Sequence, residues 1–437
     1  LGFWFDICHA THPHVGSCRY YGITGYSWNA KRGYNQGNSK RRKFTEERNL
    51  SDENMVIAGY SETAVEFRSG RSAYDFAGEA FAALLASTGV DIARVDGLSV
   101  TVPLSECANP FFAFYMTEAL GLSPTWLNYG GMGGCSATGG VARAMAAIRE
   151  GQCEVAVVLS ADAPSTNWGA NYGAWRGEFQ DPVGVLGPPS AFGLLMSRYE
   201  HQYGLNYEAL AKIAIAQRQG GLMNDNAFEK LKKPITVDDY MNSRMIADPL
   251  RLLDCVMFCD GGNAFLVTSE AKARELGIEK MVRPTAYAEV TNFKGADPVA
   301  DVTETGFSVL APKVFEKSGL KPGDIGSFQP YDDFTIAVMM QMEDFGFCEK
   351  GKGSDYVMAT DLSCKGDLPL NTGGGQLSAG QPGLASGGLN LAEAVRQMFG
   401  EAGQRQVANT QNALVTGIGV IPYARNWGTS TAMILEA

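Results

Sequence analysis

The chain has 437 residues, 45% of them hydrophobic, and carries 47 acidic against 36 basic residues for a formal net charge of −11. That length is enough for about two or three domain-sized units with an ample core. The acidic balance argues against a nucleic-acid partner, and no run of 18 apolar residues is present that could span a membrane.

From the N-terminus, residues 1–54 show neither a helical nor a strand period and include a polar stretch at 31–49. They hold 8 Lys/Arg against 5 Asp/Glu, so the rest of the chain carries a net charge of −14. The first methionine is Met55, followed at once by Val-Ile-Ala-Gly-Tyr at 56–60, which reads as an opening buried strand. Residues 1–54 are therefore expected to be an extension outside the functional domain. Cys8, His9, His12, His14 and Cys18 fall there, but their irregular spacing matches no metal-site pattern, and no metal is expected. Leu1 to Cys8 lacks the basic segment and apolar run of a signal peptide. Nine cysteines without a CxxC pair read as reduced thiols of a cytoplasmic protein.

Next come an apolar helical run at 76–85, a glycine at 89, a short turn and a strand reaching Leu98. A glycine cluster at 130–140 opens a second helix, followed by the apolar strand Val-Ala-Val-Val-Leu at 155–159. The same order recurs later. The segment 314–318 leads into Gly319 and a strand ending at Phe328, then comes a glycine cluster at 373–388, and then the strand Ala-Leu-Val-Thr-Gly at 413–417. Alternating strands and helices predict an α/β fold with largely parallel sheets. The repeated order predicts two similar halves, 55–270 and 283–437. Between the two sets, residues 160–250 include an aromatic-rich stretch at 167–175.

Four blocks then carry a resemblance. They are Gly-Gly-Cys-Ser-Ala-Thr-Gly-Gly at 133–140; Ser-Arg-Met-Ile-Ala-Asp-Pro at 243–249 with Asp-Cys-Val-Met-Phe-Cys-Asp-Gly at 254–261; Tyr-Asp-Asp-Phe-Thr at 331–335 with Gly-Phe-Cys at 346–348; and Asn-Thr-Gly-Gly-Gly-Gln-Leu-Ser-Ala-Gly-Gln-Pro-Gly at 371–383. In this order and spacing the chain resembles the thiolase superfamily, most of all the sterol-carrier-protein-type thiolases and the thiolase-like aldolases that shorten steroid side chains. The resemblance implies a duplicated five-layer α-β-α-β-α architecture, a pocket-covering region at about 160–250, an acyl-CoA thioester as substrate, and a homodimer. It implies no cofactor beyond the coenzyme A of the substrate. It also implies a possible small partner subunit with a zinc ribbon and an oligosaccharide-binding-type fold.

The chemistry that the resemblance implies is altered in this chain. A thiolase carries its acyl group on a thiolate at a strand-to-helix turn, activated by a histidine. Counted without gaps from the helix end at 148–151, the nucleophile position falls on Gly134, with Cys135 one residue beyond. That shift turns a helical side chain by about 100°, and a gap would restore Cys135. The histidine of the family's Gly-His-Pro turn is Gln381 here, followed by Pro382 and Gly383. Glutamine takes no proton near neutral pH, but its amide can donate to an oxyanion. The one histidine beyond residue 54, His201, reads as a packing or hydrogen-bonding residue in a helix. At the position of the family's Asn-Glu-Ala-Phe block stand Tyr331, Asp332, Asp333 and Phe334. The final loop carries Tyr423 and no cysteine.

The sequence therefore favours Tyr331 as the proton-transfer group, with Gln381 and, as an alternative nucleophile, Cys135. Gly134, Asp332, Gly383 and Tyr423 are the candidate substrate contacts. The reaction expected is retro-aldol cleavage of a β-hydroxyacyl-CoA without an acyl-enzyme. The alternatives are an acetyl-CoA acetyltransferase-type enzyme using Cys135 and a non-catalytic acyl-CoA-binding subunit.

Overall fold

The computed structural model describes residues 54–168, 180–185, 187–297, 300–419 and 427–437. The expected extension, except Asn54, lies outside the described residues, as do Tyr423 and positions 169–175 of the aromatic stretch.

β1 (Met55–Glu62) leads to α1 (Ala73–Thr88). Ser72 and Asp75 form a capping box at the start of α1, and Gly89 ends it in the left-handed conformation at φ 70°. After a 3₁₀ turn come β2 (Gly97–Thr101), α2 (Phe112–Ala119), β3 (Trp126–Gly130), α3 (Ser136–Arg149) and β4 (Val155–Asp162). The chain then runs through α4 (Gly187–Tyr203), α5 (Tyr207–Leu222), α6 (Val237–Met241) and a small hairpin of β5 (Met245–Ala247) and β6 (Leu250–Arg251). It re-enters the first sheet as β7 (Gly261–Ser269), followed by α7 (Glu270–Glu275).

The second half comprises β8 (Arg283–Thr291), α8 (Phe307–Ser318), β9 (Phe328–Gln329), α9 (Thr335–Asp344), α10 (Gly353–Ala359), α11 (Gly375–Ala379), α12 (Gly387–Met398), β10 (Asn412–Ile418) and β11 (Thr429–Glu436). Gly319 caps α8 at φ 76°, as Gly89 caps α1.

The strand orders are β1-β7-β4-β2-β3 and β8-β11-β10-β9. In each sheet the first two pairings are antiparallel and the next is parallel. The two halves thus share one topology, as expected of a duplication. The sheets are mixed, however, and not largely parallel. The long excursion at 163–260 returns β7 antiparallel to β4, and β11 returns antiparallel to β10. Strand–helix alternation in the sequence does not report either reversal.

The apolar faces sort into layers. α1 and α2 pack on the outer face of the first sheet. α3 and α12 fill the space between the sheets with Val141, Ala144, Ile148, Leu391 and Val395. α8 and α9 cover the outer face of the second sheet, together with α4 and α5. The result is five layers, α-β-α-β-α. Among the described residues no helix is long and apolar enough to cross a membrane.

The two middle helices start almost in contact. A methyl group on Gly387 would lie 2.1 Å from the Gly134 carbonyl oxygen, so the chain must be glycine there for both helix N-termini to converge. Gly387→Ala is expected to destabilise the fold by about 1–3 kcal/mol in urea unfolding. Gly78, inside α1, has open space at its Cβ position, and Gly78→Ala is expected to stabilise the fold by about 0.5–1 kcal/mol.

Candidate active site

The site is built around Tyr331, which follows β9 by two residues and enters the gap between α3 and α12. Its backbone is held at both ends: its N–H donates to Thr416 Oγ1 at 2.9 Å, and its carbonyl accepts from Gln341 Nε2 at 2.8 Å. The carbonyl of Pro330 just before it accepts from Asn371 Nδ2 at 3.0 Å and from Asn390 Nδ2 at 2.5 Å. The ring is thereby fixed over the start of α3.

The ring lies where a side chain at position 134 would be. A Cβ built on Gly134 would stand 1.9 Å from Tyr331 Cε2 and 2.2 Å from Cζ. The position to which the thiolase nucleophile maps without gaps is therefore glycine and is filled by the phenol. Gly134 gives room to this ring.

The phenol oxygen meets Ser386 Oγ at 3.0 Å and accepts from Gln381 Nε2 at 3.3 Å. Burial, then the negative charge of Asp333, raises the Tyr331 pKa well above that of an ordinary phenol. The group is held neutral, as a proton donor. Ser386, which is fully buried and immediately precedes α12, was not singled out in the sequence. A serine before a glycine-opened helix signals a cap. Its pairing with a residue 55 positions away has no local signal.

Gln381 also donates to Gln376 Oε1 at 3.0 Å. Gln376 in turn approaches Asn390 at 3.4 Å. The histidine-to-glutamine replacement thus belongs to an amide chain that ends on the phenol.

Cys135 lies elsewhere. Its thiol is fully buried and points to β11, with Sγ 3.6 Å from the Thr429 carbonyl oxygen. Burial pushes its pKa up to about 12. This geometry argues against a nucleophilic Cys135: the one-residue offset turns the sulfur toward the second sheet. His201 lies in a helix as expected, but it is exposed on α4 and not packed in the core.

The two aspartates differ sharply. Asp332 is fully buried and accepts from Gln217 Nε2 at 2.6 Å, the Gln376 N–H at 2.9 Å, the Leu377 N–H at 3.1 Å and Asn390 Nδ2 at 3.3 Å. Burial still raises its pKa to about 6. Its oxygens, expected to contact substrate, are engaged by the protein and make it an anchor. It ties α5 and the start of α11 to the Tyr331 segment. Gly375 permits this, since its φ is +54° and a Cβ would meet Asp332 Oδ2 at 2.2 Å. Gly383 plays a parallel structural part, at φ +47° and against the Asp162 carboxylate. Asp162, at the end of β4, accepts from the N–H groups of Leu104, Ser105, Ala163 and Leu384. It thereby joins three loops around the site.

The arrangement offers a buried phenol, amide and hydroxyl groups on it, and the positive N-terminal ends of α3 and α12. It can donate a proton and favour developing negative charge. It has no activated thiol.

Cys135 in the native chain is expected to resist alkylation at pH 7.5 and to react once the chain is unfolded, as read by peptide mass spectrometry. Labelling in the native state at the rate of an exposed thiol would contradict the geometry.

Comparison with known proteins agrees with this architecture. The family described as thiolase C-terminal domain-like matches residues 288–436. The chain is 32% identical over 387 residues to a steroid side-chain-cleaving aldolase of Thermomonospora curvata, covering 84% of this chain and 95% of that one. It is 30% identical over 394 residues to the 17-hydroxy-3-oxo-4-pregnene-20-carboxyl-CoA lyase of Mycobacterium tuberculosis, covering 84% and 96%. The solved Ltp2-ChsH2(DUF35) aldolase matches with a TM-score of 0.76 at 30% identity, covering 88% of this chain and 98% of that chain. A monomeric SCP2-thiolase-like protein from Mycobacterium smegmatis matches with a TM-score of 0.66 at 21% identity, covering 88% and 77%, a likeness of fold. The chain belongs to the thiolase superfamily, among the sterol-carrier-protein-type thiolases and the thiolase-like aldolases that cleave steroid side chains.

Proposed function

We propose that this chain is an acyl-CoA lyase that cleaves the Cα–Cβ bond of a β-hydroxyacyl-CoA by a retro-aldol route, with Tyr331 as the proton donor. The observation that carries this reading is the Tyr331 ring in the side-chain space of Gly134, together with the sealed sulfur of Cys135. The names of two relatives matched over most of their length, an aldolase and a CoA-ester lyase, support it.

In this reaction a base removes the β-hydroxyl proton. The Cα–Cβ bond breaks, a carbonyl product leaves, and its electron pair passes to the thioester as an enolate. The enolate is then protonated at Cα. A phenol kept neutral by its surroundings suits that last step. The amide donors and the two helix N-termini suit the developing oxyanion, at about 3 kcal/mol for one well-placed donor. No covalent bond to the enzyme forms.

The substrate class in this reading is a bulky, steroid-bearing acyl-CoA, in keeping with the relatives' names. A small partner subunit of the kind paired with Ltp2 in the solved aldolase is part of the same reading. A homodimer is supported by the edge position of β3 in the first sheet and by Phe111, Phe114 and Tyr115 at α2, which are 56%, 61% and 51% exposed.

With the partner subunit and a panel of β-hydroxyacyl-CoA esters, Tyr331→Phe is expected to lower kcat by about 10²–10⁴-fold. Ser386→Ala, which removes one hydrogen bond from the phenol, is expected to cost about tenfold. Cys135→Ala should leave kcat unchanged. A Cys135→Ala enzyme without turnover, beside an active Tyr331→Phe, would overturn the reading.

A further inference from the structure

We infer that Asp333 is the general base of the reaction, taking the β-hydroxyl proton while Tyr331 supplies the proton at Cα. This rests on the retro-aldol reading above.

Two neighbouring carboxylates differ in what holds them. Asp332 is saturated by four protein donors. Asp333 is not: only its own N–H and that of Phe334 bear on its carboxylate as donors, and its Oδ1 is sealed from solvent with no hydrogen-bond partner among the described residues. The residue as a whole keeps partial exposure, although that oxygen is covered. An unpaired carboxylate oxygen in such a place is costly to the fold, and nothing structural is gained from it. Asp333 lies two residues from Tyr331, at a bend of the same connection between β9 and α9. After burial, its charge is the largest influence on that phenol.

The groups bearing on Asp333 are few. Tyr331 and Asp332 lie on its own segment. From the facing strand segment come Cys255, whose thiol feels the Asp333 charge, and the Val256 N–H, which donates to the Asp333 carbonyl at 3.3 Å. No cationic side chain among the described residues bears on it. Burial, then the Asp332 charge, pushes its pKa up to about 8. A carboxylate of that basicity is far better matched to a hydroxyl proton near neutrality than an ordinary one. The phenol is driven further from ionisation, so the two groups are separated into base and acid.

The protons balance. The β-hydroxyl proton passes to the Asp333 carboxylate as the C–C bond breaks. Tyr331 gives its proton to Cα, and the resulting phenolate is reprotonated by Asp333. The enzyme returns to its starting state with no net proton taken up.

The test is Asp333→Asn, which keeps shape and removes basicity. Wild-type kcat/KM should rise with pH as Asp333 deprotonates, through about 8. In Asp333→Asn, kcat should fall about 10²–10⁴-fold with little change in KM, and that pH limb should vanish. Stability gives a second readout. A carboxyl whose pKa is raised by folding makes the fold lose stability as pH rises from about 4 toward 8, because the unfolded chain releases its proton first. Asp333→Asn should therefore be at least as stable as wild type at pH 8.5, which a merely structural aspartate would not allow. An active Asp333→Asn with the wild-type pH profile, beside an inactive Tyr331→Phe, overturns this assignment alone. Absence of cleavage by the wild type across the ester panel overturns the retro-aldol reading and this assignment with it.

Discussion

Two atoms cannot share the space above the first turn of α3, and the site follows from that exclusion. The Tyr331 ring stands 1.9 Å from where any Cβ at position 134 would be. A side-chain nucleophile at 134 and a tyrosine at 331 are therefore mutually exclusive on this backbone. Once the phenol holds the position, a histidine to activate sulfur has nothing to activate. Gln381 instead donates to the phenol oxygen. The three departures from the thiolase pattern, at 134, 331 and 381, are one structural change seen at three places in the sequence.

Residue type alone does not set the chemistry here; surroundings do. Asp332 and Asp333 are the same amino acid side by side. One is held by Gln217, Asn390 and two backbone N–H groups and anchors the loop that carries Gln376 and Gln381. The other has an oxygen with no partner and is pushed toward neutrality by burial and by its neighbour. The helices α3 and α12 add direction, because both point their positive ends at the same gap. They converge only because Gly387 lets α12 rest on the Gly134 carbonyl.

Much of the architecture was legible because it depends on short-range signals. Gly89 and Gly319 mark two helix ends at matching points of the halves, and the apolar runs at 56–60, 155–159 and 413–417 fall within β1, β4 and β10. Strand direction was not legible, since neither the long excursion before β7 nor the short link between β10 and β11 carries a period that reports the reversal. In the site, the sequence marked positions 134, 331 and 381 but not their geometry. It assigned Asp332 to substrate, although that carboxylate is consumed by contacts with residues as distant as Gln217. It overlooked Ser386, whose bond to Tyr331 spans 55 positions. Side-chain direction at Cys135 was also undetermined, because one residue at a strand-to-helix turn decides which sheet the sulfur meets.

The central claim is that carbon–carbon cleavage occurs beside an intact thioester, with a proton delivered to Cα and no sulfur attack. The most direct measurement is a single turnover of a β-hydroxyacyl-CoA in deuterium oxide, with the mass of the chain and of both products followed together. The account predicts an unmodified chain and an acyl-CoA product that keeps its thioester and carries one deuterium at Cα. Transient addition of an acyl group to the chain, with release of free coenzyme A, would contradict it.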